Sequence, residues 1–305
     1  MASLRQIRRR IRSVQSTQQI TRAMEMVAAS KLKRAQQRLF AARPYAQKLD
    51  EMVVRLTGGM GTDQAIHPLF EKRPVKNIAV AIITADKGMC GAYNANIIRT
   101  IEHFLAQQSA PNIKLVLIGK RGVHYFQRQK SFEILAHWQD FSAKLEFRFA
   151  QEIALYLTSI FSKNQVDEIY LGYTRFISGM TYQPTISKLL NIDASEVGAQ
   201  FIAPEKGIDK SNPIIATKGF DYLYEPDADQ LLNILLPQYV TIRVYIALAS
   251  ALTSEQSARM IAMQNATDNA DEMIDQLTLL RNKLRQASIT KEITEIVSGA
   301  EALNG

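Results

Sequence analysis

Few residues in this sequence stand at spacings that chemistry requires. Gly88 and Gly91 follow the apolar, β-branched run Ile78–Thr84 and could shape a nucleotide turn. A G-x-x-G pair is more simply the tight strand-to-helix turn of an α/β layer, and that reading is preferred. Gly119-Lys120 follows a second apolar run but lacks the upstream glycine and the hydroxyl residue of a phosphate loop. His67, His103, His124 and His137 are scattered, with no i, i+4 pair on a helix and no cysteine beside them, which argues against a metal site. Cys90 is the one cysteine. It excludes an internal disulfide framework, fits a reducing compartment and reads as a small buried hydrophobe. Asp268, Asp271, Glu272 and Asp275 read as the solvated face of a helix. No catalytic, cofactor-binding or metal-ligating residue is expected.

Charge gives a second lead. Residues 1–43 carry eleven Lys/Arg against the single acid Glu25, a surplus of ten that exceeds the +8 of the whole chain. An acidic partner should therefore meet this segment. Arg8-Arg9-Arg10 at the head of a helical pattern permits a nucleic-acid reading, that of a free-standing coiled-coil protein with a basic helix. That reading requires a leucine seam immediately after the basic block, and Met24-Glu25-Met26-Val27-Ala28-Ala29 stands there instead. Residues 241–304 carry six Lys/Arg and eight Asp/Glu, a slightly acidic match for the basic segment.

The elements that would position these residues fall into three parts. The last quarter, 227–305, has one proline (Pro237) and, up to Leu303, one glycine (Gly299), and reads as a long helix. Val240, Val244, Leu248, Leu252, Ala266, Ala270, Ile274, Leu277, Leu280, Leu284 and Ala287 predict a narrow apolar seam along it. At the other end, residues 1–57, Ser3 is a plausible N-cap. Leu4, Ile7, Ile11, Val14, Ile20, Met24, Val27, Leu32, Ala35 and Leu39 predict a second seam. Pro44 should kink or interrupt this helix, leaving a weaker one over Tyr45–Leu56 that ends at Gly58-Gly59.

Between them, residues 75–200 change grammar. Strands are expected at Asn77–Thr84, Ile113–Ile118 and Glu168–Tyr173, with a fourth at Thr181–Leu190 placed at an edge by Pro184. Helices are expected at Asn94–Gln108, Val123–Gln129 and Leu145–Ser162. This alternation predicts a Rossmann-like α/β domain with largely parallel strands. Residues 201–226, rich in Pro, Gly, Lys and Asp, read as a connection back to the final helix. The fold class expected is thus α/β plus a long antiparallel coiled coil of the two terminal helices. No unbroken apolar run approaches 18 residues, so no membrane span is expected. The basic N-terminus passes into the helical pattern without a cleavage-like break, against a transit peptide.

Four blocks carry a resemblance over nearly the whole chain. They are I-T-R-A-M-E-M-V-A-A-S-K (Ile20–Lys31), D-K-G-M-C-G-A-Y-N-A-N (Asp86–Asn96), A-R-M-I-A-M-Q-N-A-T-D-N-A (Ala258–Ala270) and R-Q-A-S-I-T-K-E-I-T-E-I-V-S-G-A (Arg285–Ala300). In these the chain resembles the gamma subunit of rotary F-type ATP synthases, with conservative departures at Lys87, Met89, Ala92 and Tyr93. The resemblance implies a non-catalytic rotor shaft without a cofactor. Its partners would be the alpha and beta subunits of the catalytic ring, epsilon and the membrane c-ring, not nucleic acid. It would lie on the cytoplasmic face of a bacterial plasma membrane, and no redox-regulatory insertion of the chloroplast type is visible. Carried over from the family motifs, Arg285, Gln286, Thr290 and Glu292, with Arg9, Arg10 and Met24, would contact the catalytic subunits. Ile293, Ile296, Val297 and Ala300 would form an apolar bearing tip. Met24, Met26, Met260 and Met263 read as seam residues whose flexible thioethers also suit changing partners.

Overall fold

The computed structural model describes residues 4–59, 67–71, 73–108, 110, 112–142, 145–192 and 228–304, and their side chains except at 57–59, 228–229 and 300–304. The 201–226 connection lies outside the described residues. The chain divides into two compact units, one of Lys31–Ala258 and one of Met1–Ser30 with Arg259–Gly305.

The larger unit holds a five-stranded sheet: β1 (Asn77–Ile83), β2 (Asn112–Ile118), β3 (Glu133–Trp138), β4 (Glu168–Phe176) and β5 (Tyr182–Leu190), in the order β3-β2-β1-β4-β5. The first four strands run parallel and β5 pairs antiparallel with β4. β1 is buried along nearly its whole length, as a central strand covered on both faces must be. Pro184 sits opposite Thr174 on the edge strand, where a missing N–H costs no ladder bond to a further strand. β3 was not expected from the sequence, because EILAHW is short and half-buried at the opposite edge, with no apolar run to mark it.

Helices α2 (Tyr93–Gln107) and α3 (Lys120–Gln129) connect β1 to β2 and β2 to β3. Ile97, Ile101 and Leu105 of α2 and Val123 and Phe126 of α3 enter one core cluster with β1 and β2. The return from β3 to β4 moves the opposite way across the sheet, so a right-handed crossover puts α4 (Phe147–Ser162) on the other face.

The long terminal helices correct three expectations. Helix α1 (Leu4–Gly59) runs unbroken through Pro44. The ring removes one hydrogen bond on an exposed face, while Leu39, Ala46, Leu49 and Val53 keep the buried face continuous on both sides. Ile20 and Val27 are exposed; Thr21 and Ala28 take the buried positions instead, in step with Ile7, Val14 and Ala35 at seven-residue intervals. In helix α5 (Ala228–Asn304) the stretch Tyr239–Ala258 is buried almost all round, not along a narrow stripe, because it is a core element of the α/β unit. Further along, Leu280 and Ala287 are exposed rather than in the seam. Part of α5 is apolar enough to cross a membrane, with mean hydropathy 1.5 over 18 residues, but 61% of that stretch is buried inside the protein, as in a core helix.

Candidate functional site

In doubly wound sheets the ligand crevice lies beyond the carboxyl ends of the strands where the order reverses, here between β1 and β4. That crevice is filled by α5. The Tyr93 hydroxyl donates to the Ala251 carbonyl at 3.0 Å, and Ala258 packs against Ala85, Cys90 and Tyr93. The Ser250 hydroxyl accepts the Phe176 N–H at 2.8 Å, and the hydroxyls of Ser254 and Ser257 donate to the carbonyls of Thr174 and Gly179. A polar run, Thr253 to Ser257, is thus buried with two of its side chains bonded to β4 and to the turn that follows it.

The loop after β1 is tied down in the same way. The Asp86 carboxylate accepts the N–H groups of Lys120, Asp140 and Ser142 at 3.2, 2.9 and 3.3 Å. The remaining amides at the head of α3 also have partners: Arg121 with Ala85 O, Gly122 with Thr84 Oγ1 and Val123 with Gly119 O. The Gly88-x-x-Gly91 turn therefore belongs to a closed structural corner. Gly91 has a positive φ of 55°, and Cys90 is buried.

What remains open is the surface of the helix pair in the smaller unit. Its two strips run antiparallel. The Thr21 and Thr267 hydroxyls meet at 2.8 Å in a buried contact, and the Gln18 amide donates to Asp271. On α5 the buried and half-buried positions include 263, 267, 270, 274, 277, 281, 284 and 288, spaced by alternating four- and three-residue steps, with 266, 278 and 282 half-buried beside them. Carrying the Thr21–Thr267 register to Leu4 puts that residue level with about position 284, so about 20 residues of α5, ~30 Å, extend past the start of α1.

The expected contact residues distribute along this unit at different levels. Arg9 and Arg10 are exposed on α1, opposite about positions 278–279 of α5, and Met24 is half-buried about two heptads deeper into the pair. Arg285, Gln286, Thr290 and Glu292 are all exposed, at or beyond the start of α1. They are not brought beside Met24. Among them, Glu292 accepts the Ser288 hydroxyl at 3.2 Å, and the Thr290 carbonyl accepts the Thr294 hydroxyl at 2.8 Å. Ile293, Ile296 and Val297 are 57%, 72% and 54% exposed. The side chain of Ala300 lies outside the described residues.

Sequence reasoning missed Ile289, exposed on the same stretch, and the polar register pair Gln18 and Thr21. The heptad step from Val14 to Thr21 to Ala28 was the available signal. The acidic group Asp268, Asp271, Glu272 and Asp275 is exposed, as expected of a solvated face.

The family model described as ATP synthase matches residues 3–303. The ATP synthase gamma chain of Moorella thermoacetica is 45% identical over 303 residues, covering 99% of this chain and 100% of its own. That of Desulfitobacterium hafniense is 43% identical over 305 residues, with the same coverage. Among solved structures, the central stalk and c-ring of the Tetrahymena thermophila mitochondrial ATP synthase contains a chain 27% identical at a TM-score of 0.58, covering 81% of this chain and 99% of that one. A chain of the Euglena gracilis mitochondrial ATP synthase, 18% identical, shares the fold at a TM-score of 0.65 over 98% of this chain and 94% of its own.

Proposed function

The chain belongs to the gamma-chain family of the ATP synthase, and from that premise we propose how its parts divide the work of a rotor. A gamma chain is the central shaft of the complex and not itself a catalyst. Its partners are the alpha and beta subunits of the catalytic ring, epsilon and the c-ring, and it is a peripheral part of a membrane-associated assembly. Nothing in the matches supports the nucleic-acid reading.

The smaller unit works inside the catalytic ring. One observation carries this: α5 runs about 20 residues past the start of α1 with Ile289, Ile293, Ile296 and Val297 exposed and, among the described residues, no second helix beside them. These residues stand at i, i+4, i+7 and i+8, one apolar face that needs a surrounding surface to cover it. Apolar side chains suit a sleeve in which the helix turns, since dispersion contacts have no fixed direction and resist rotation less than hydrogen bonds. Arg285 and Gln286 lie below that tip, Thr290 and Glu292 lie among its first apolar residues, and Arg9 and Arg10 are lower again, all exposed for polar contacts with the catalytic subunits. Met24 lies deepest and adapts to changing neighbours. An asymmetric shaft offers each catalytic subunit a different face and so biases their nucleotide affinities differently.

The remainder divides as residues 1–57 and 227–305 for the shaft, 75–200 for the foot that sits on the membrane ring, and 201–226 for the connection. The foot faces the cytoplasmic side of a bacterial plasma membrane, a placement that the bacterial relatives support. The test is ATPase turnover reconstituted from matching alpha and beta subunits with the full chain, with a chain ending at residue 284, and with none. Sustained turnover that needs the chain and drops with the truncation is expected. Turnover indifferent to the chain would sink this reading.

A further inference from the structure

Helices α2 and α3 line an open groove of about 680 Å³ on the α/β unit. Its walls are Ile98, Arg99 and Glu102 from α2 and Arg121, His124, Tyr125 and Arg128 from α3. The α3 residues stand at i, i+3, i+4 and i+7, so they share the face opposite Gly122, Val123 and Phe126, which are buried against the sheet. All three arginines are exposed, and none makes an ion pair among the described residues. The one carboxylate, Glu102, is held by neutral donors instead: Tyr125 Oη at 2.7 Å and Gln129 Nε2 at 2.8 Å. The groove therefore presents three guanidinium groups whose charge is not locally neutralised.

The form of the charge limits what fits. A phosphate or other point anion is bound where donors converge, typically with the free N–H groups of a helix N-terminus. Here the first four amides of α3 are occupied by Asp86, Ala85, Thr84 and Gly119. The arginines are instead strung along the groove, with Arg121 and Arg128 seven residues apart, about 10 Å along the helix. A line of forked donors over two turns matches carboxylates on one face of a second helix. We propose that the α2–α3 groove docks an acidic helical segment of a partner protein, its carboxylates paired with Arg99, Arg121 and Arg128 and its apolar flank set on Ile98 and Tyr125.

The test uses the full chain and a fluorescein-labelled alanine-rich helical peptide with glutamates at i, i+4 and i+7, read by anisotropy. The comparison variants are Arg99→Gln/Arg128→Gln in the groove and Arg5→Gln/Arg8→Gln/Arg12→Gln on the basic helix α1. All five side chains are exposed, so folding is preserved, and circular dichroism checks it. The groove variant should weaken binding about tenfold or more, and the α1 variant by less than about twofold. Equal losses in both variants would mean diffuse attraction to a basic protein and overturn the proposal, as would no loss in the groove variant. Sodium triphosphate is the competitor. Displacement of the peptide by triphosphate at concentrations far below the peptide's own Kd, again dependent on Arg99 and Arg128, would make the groove a point-anion site and equally overturn it.

Discussion

Arg243 and Asp50 meet at 2.6 Å inside the α/β unit with 1% and 5% of their side chains exposed, joining α5 to α1 by a buried ion pair. The Arg243 guanidinium also lies over the Tyr239 ring, 4.9 Å from its centre. Burial pushes the Asp50 carboxyl up from 3.8 to about 6, against the opposing pull of Arg243. The two halves of the pair are therefore unequal. Arg243→Met strands a carboxylate that already resists ionisation and should cost about 3–5 kcal/mol at pH 8. The cost should be smaller at pH 5, where Asp50 takes up a proton. Arg243→Met/Asp50→Leu should recover most of the loss. Chemical denaturation at the two pH values checks this, and a pH-independent loss would count against it.

The same pair sets a pH dependence whose sign follows from the direction of the shift. Between 3.8 and about 6, native Asp50 holds a proton that the unfolded chain has released. Stability from this group is thus complete below the unfolded value and declines as pH rises through about 6, by about 3 kcal/mol over the window. Thermal midpoints recorded from pH 4 to pH 7 should fall along this leg in the wild type. Asp50→Asn should flatten it.

Thr21 and Thr267 make a different kind of contact. The two hydroxyls meet at 2.8 Å, and each has a carbonyl of the preceding turn within reach, Gln18 O at 3.0 Å for Thr21 and Met263 O at 2.9 Å for Thr267, so one hydroxyl donates across the pair and the other to its own carbonyl. Thr21→Val leaves Thr267 short of a partner in a buried site and should cost about 1 kcal/mol. Thr21→Val/Thr267→Val replaces both with matching apolar groups and should come close to wild type. The interaction energy from that double-mutant cycle is the measurement, and simple additivity would argue against the pairing.

The two helix-pair residues and the ion pair show where the sequence was legible and where it stopped being so. The α/β alternation could be read because β1 is a continuous apolar run and α2 and α4 have strong periodicity, both local signals. The edge strand β5 could be placed because proline has a positional meaning in sheets. By contrast, Tyr239–Ala258 reads as a seam when only spacing is considered. That it is buried all round depends on which strand ends Ser250 and Ser254 meet, a non-local fact. Thr21 and Arg243 fail a hydrophobicity test for the same reason: each is buried only because a partner 246 or 193 residues away satisfies it. Pro44 misleads in the other direction, since tertiary packing on both sides overrides a local helix breaker. The contact residues on the shaft could be named from family motifs alone. Their exposure and their separation into levels along the helix pair became visible only with the register of Thr21 against Thr267.

Gly119 is the tightest point of the α/β corner. Its φ of 98° and ψ of 140° belong to a region open to glycine, and a Cβ there would stand 2.1 Å from the Thr84 carbonyl oxygen. Gly119→Ala should destabilise the chain by about 3 kcal/mol or more. Asparagine relieves strain where the left-handed helical conformation alone is needed, but here ψ is extended and the carbonyl still blocks the side chain. Gly119→Asn should therefore be no better than alanine. Thermal unfolding of the two variants beside Gly122→Ala, whose added Cβ would lie 2.9 Å from the Thr84 hydroxyl, separates backbone strain from simple crowding.

The tip of α5 offers a test in which stability and function should part. Ile293 and Ile296 are 57% and 72% exposed, so their side chains support little of the fold. Ile293→Asp/Ile296→Asp should shift the unfolding free energy of the isolated chain by no more than about 0.5 kcal/mol per site. In a complex reconstituted with alpha and beta subunits, the same change buries carboxylates in a sleeve expected to be apolar, at a cost of several kcal/mol unless water or a cation follows them in. Assembly or sustained ATPase turnover should then fall steeply. Ile293→Ala/Ile296→Ala, which only loses contact area, should retain most of both. If the aspartate pair weakens the isolated chain as much as the complex, these residues belong to the fold rather than to a bearing.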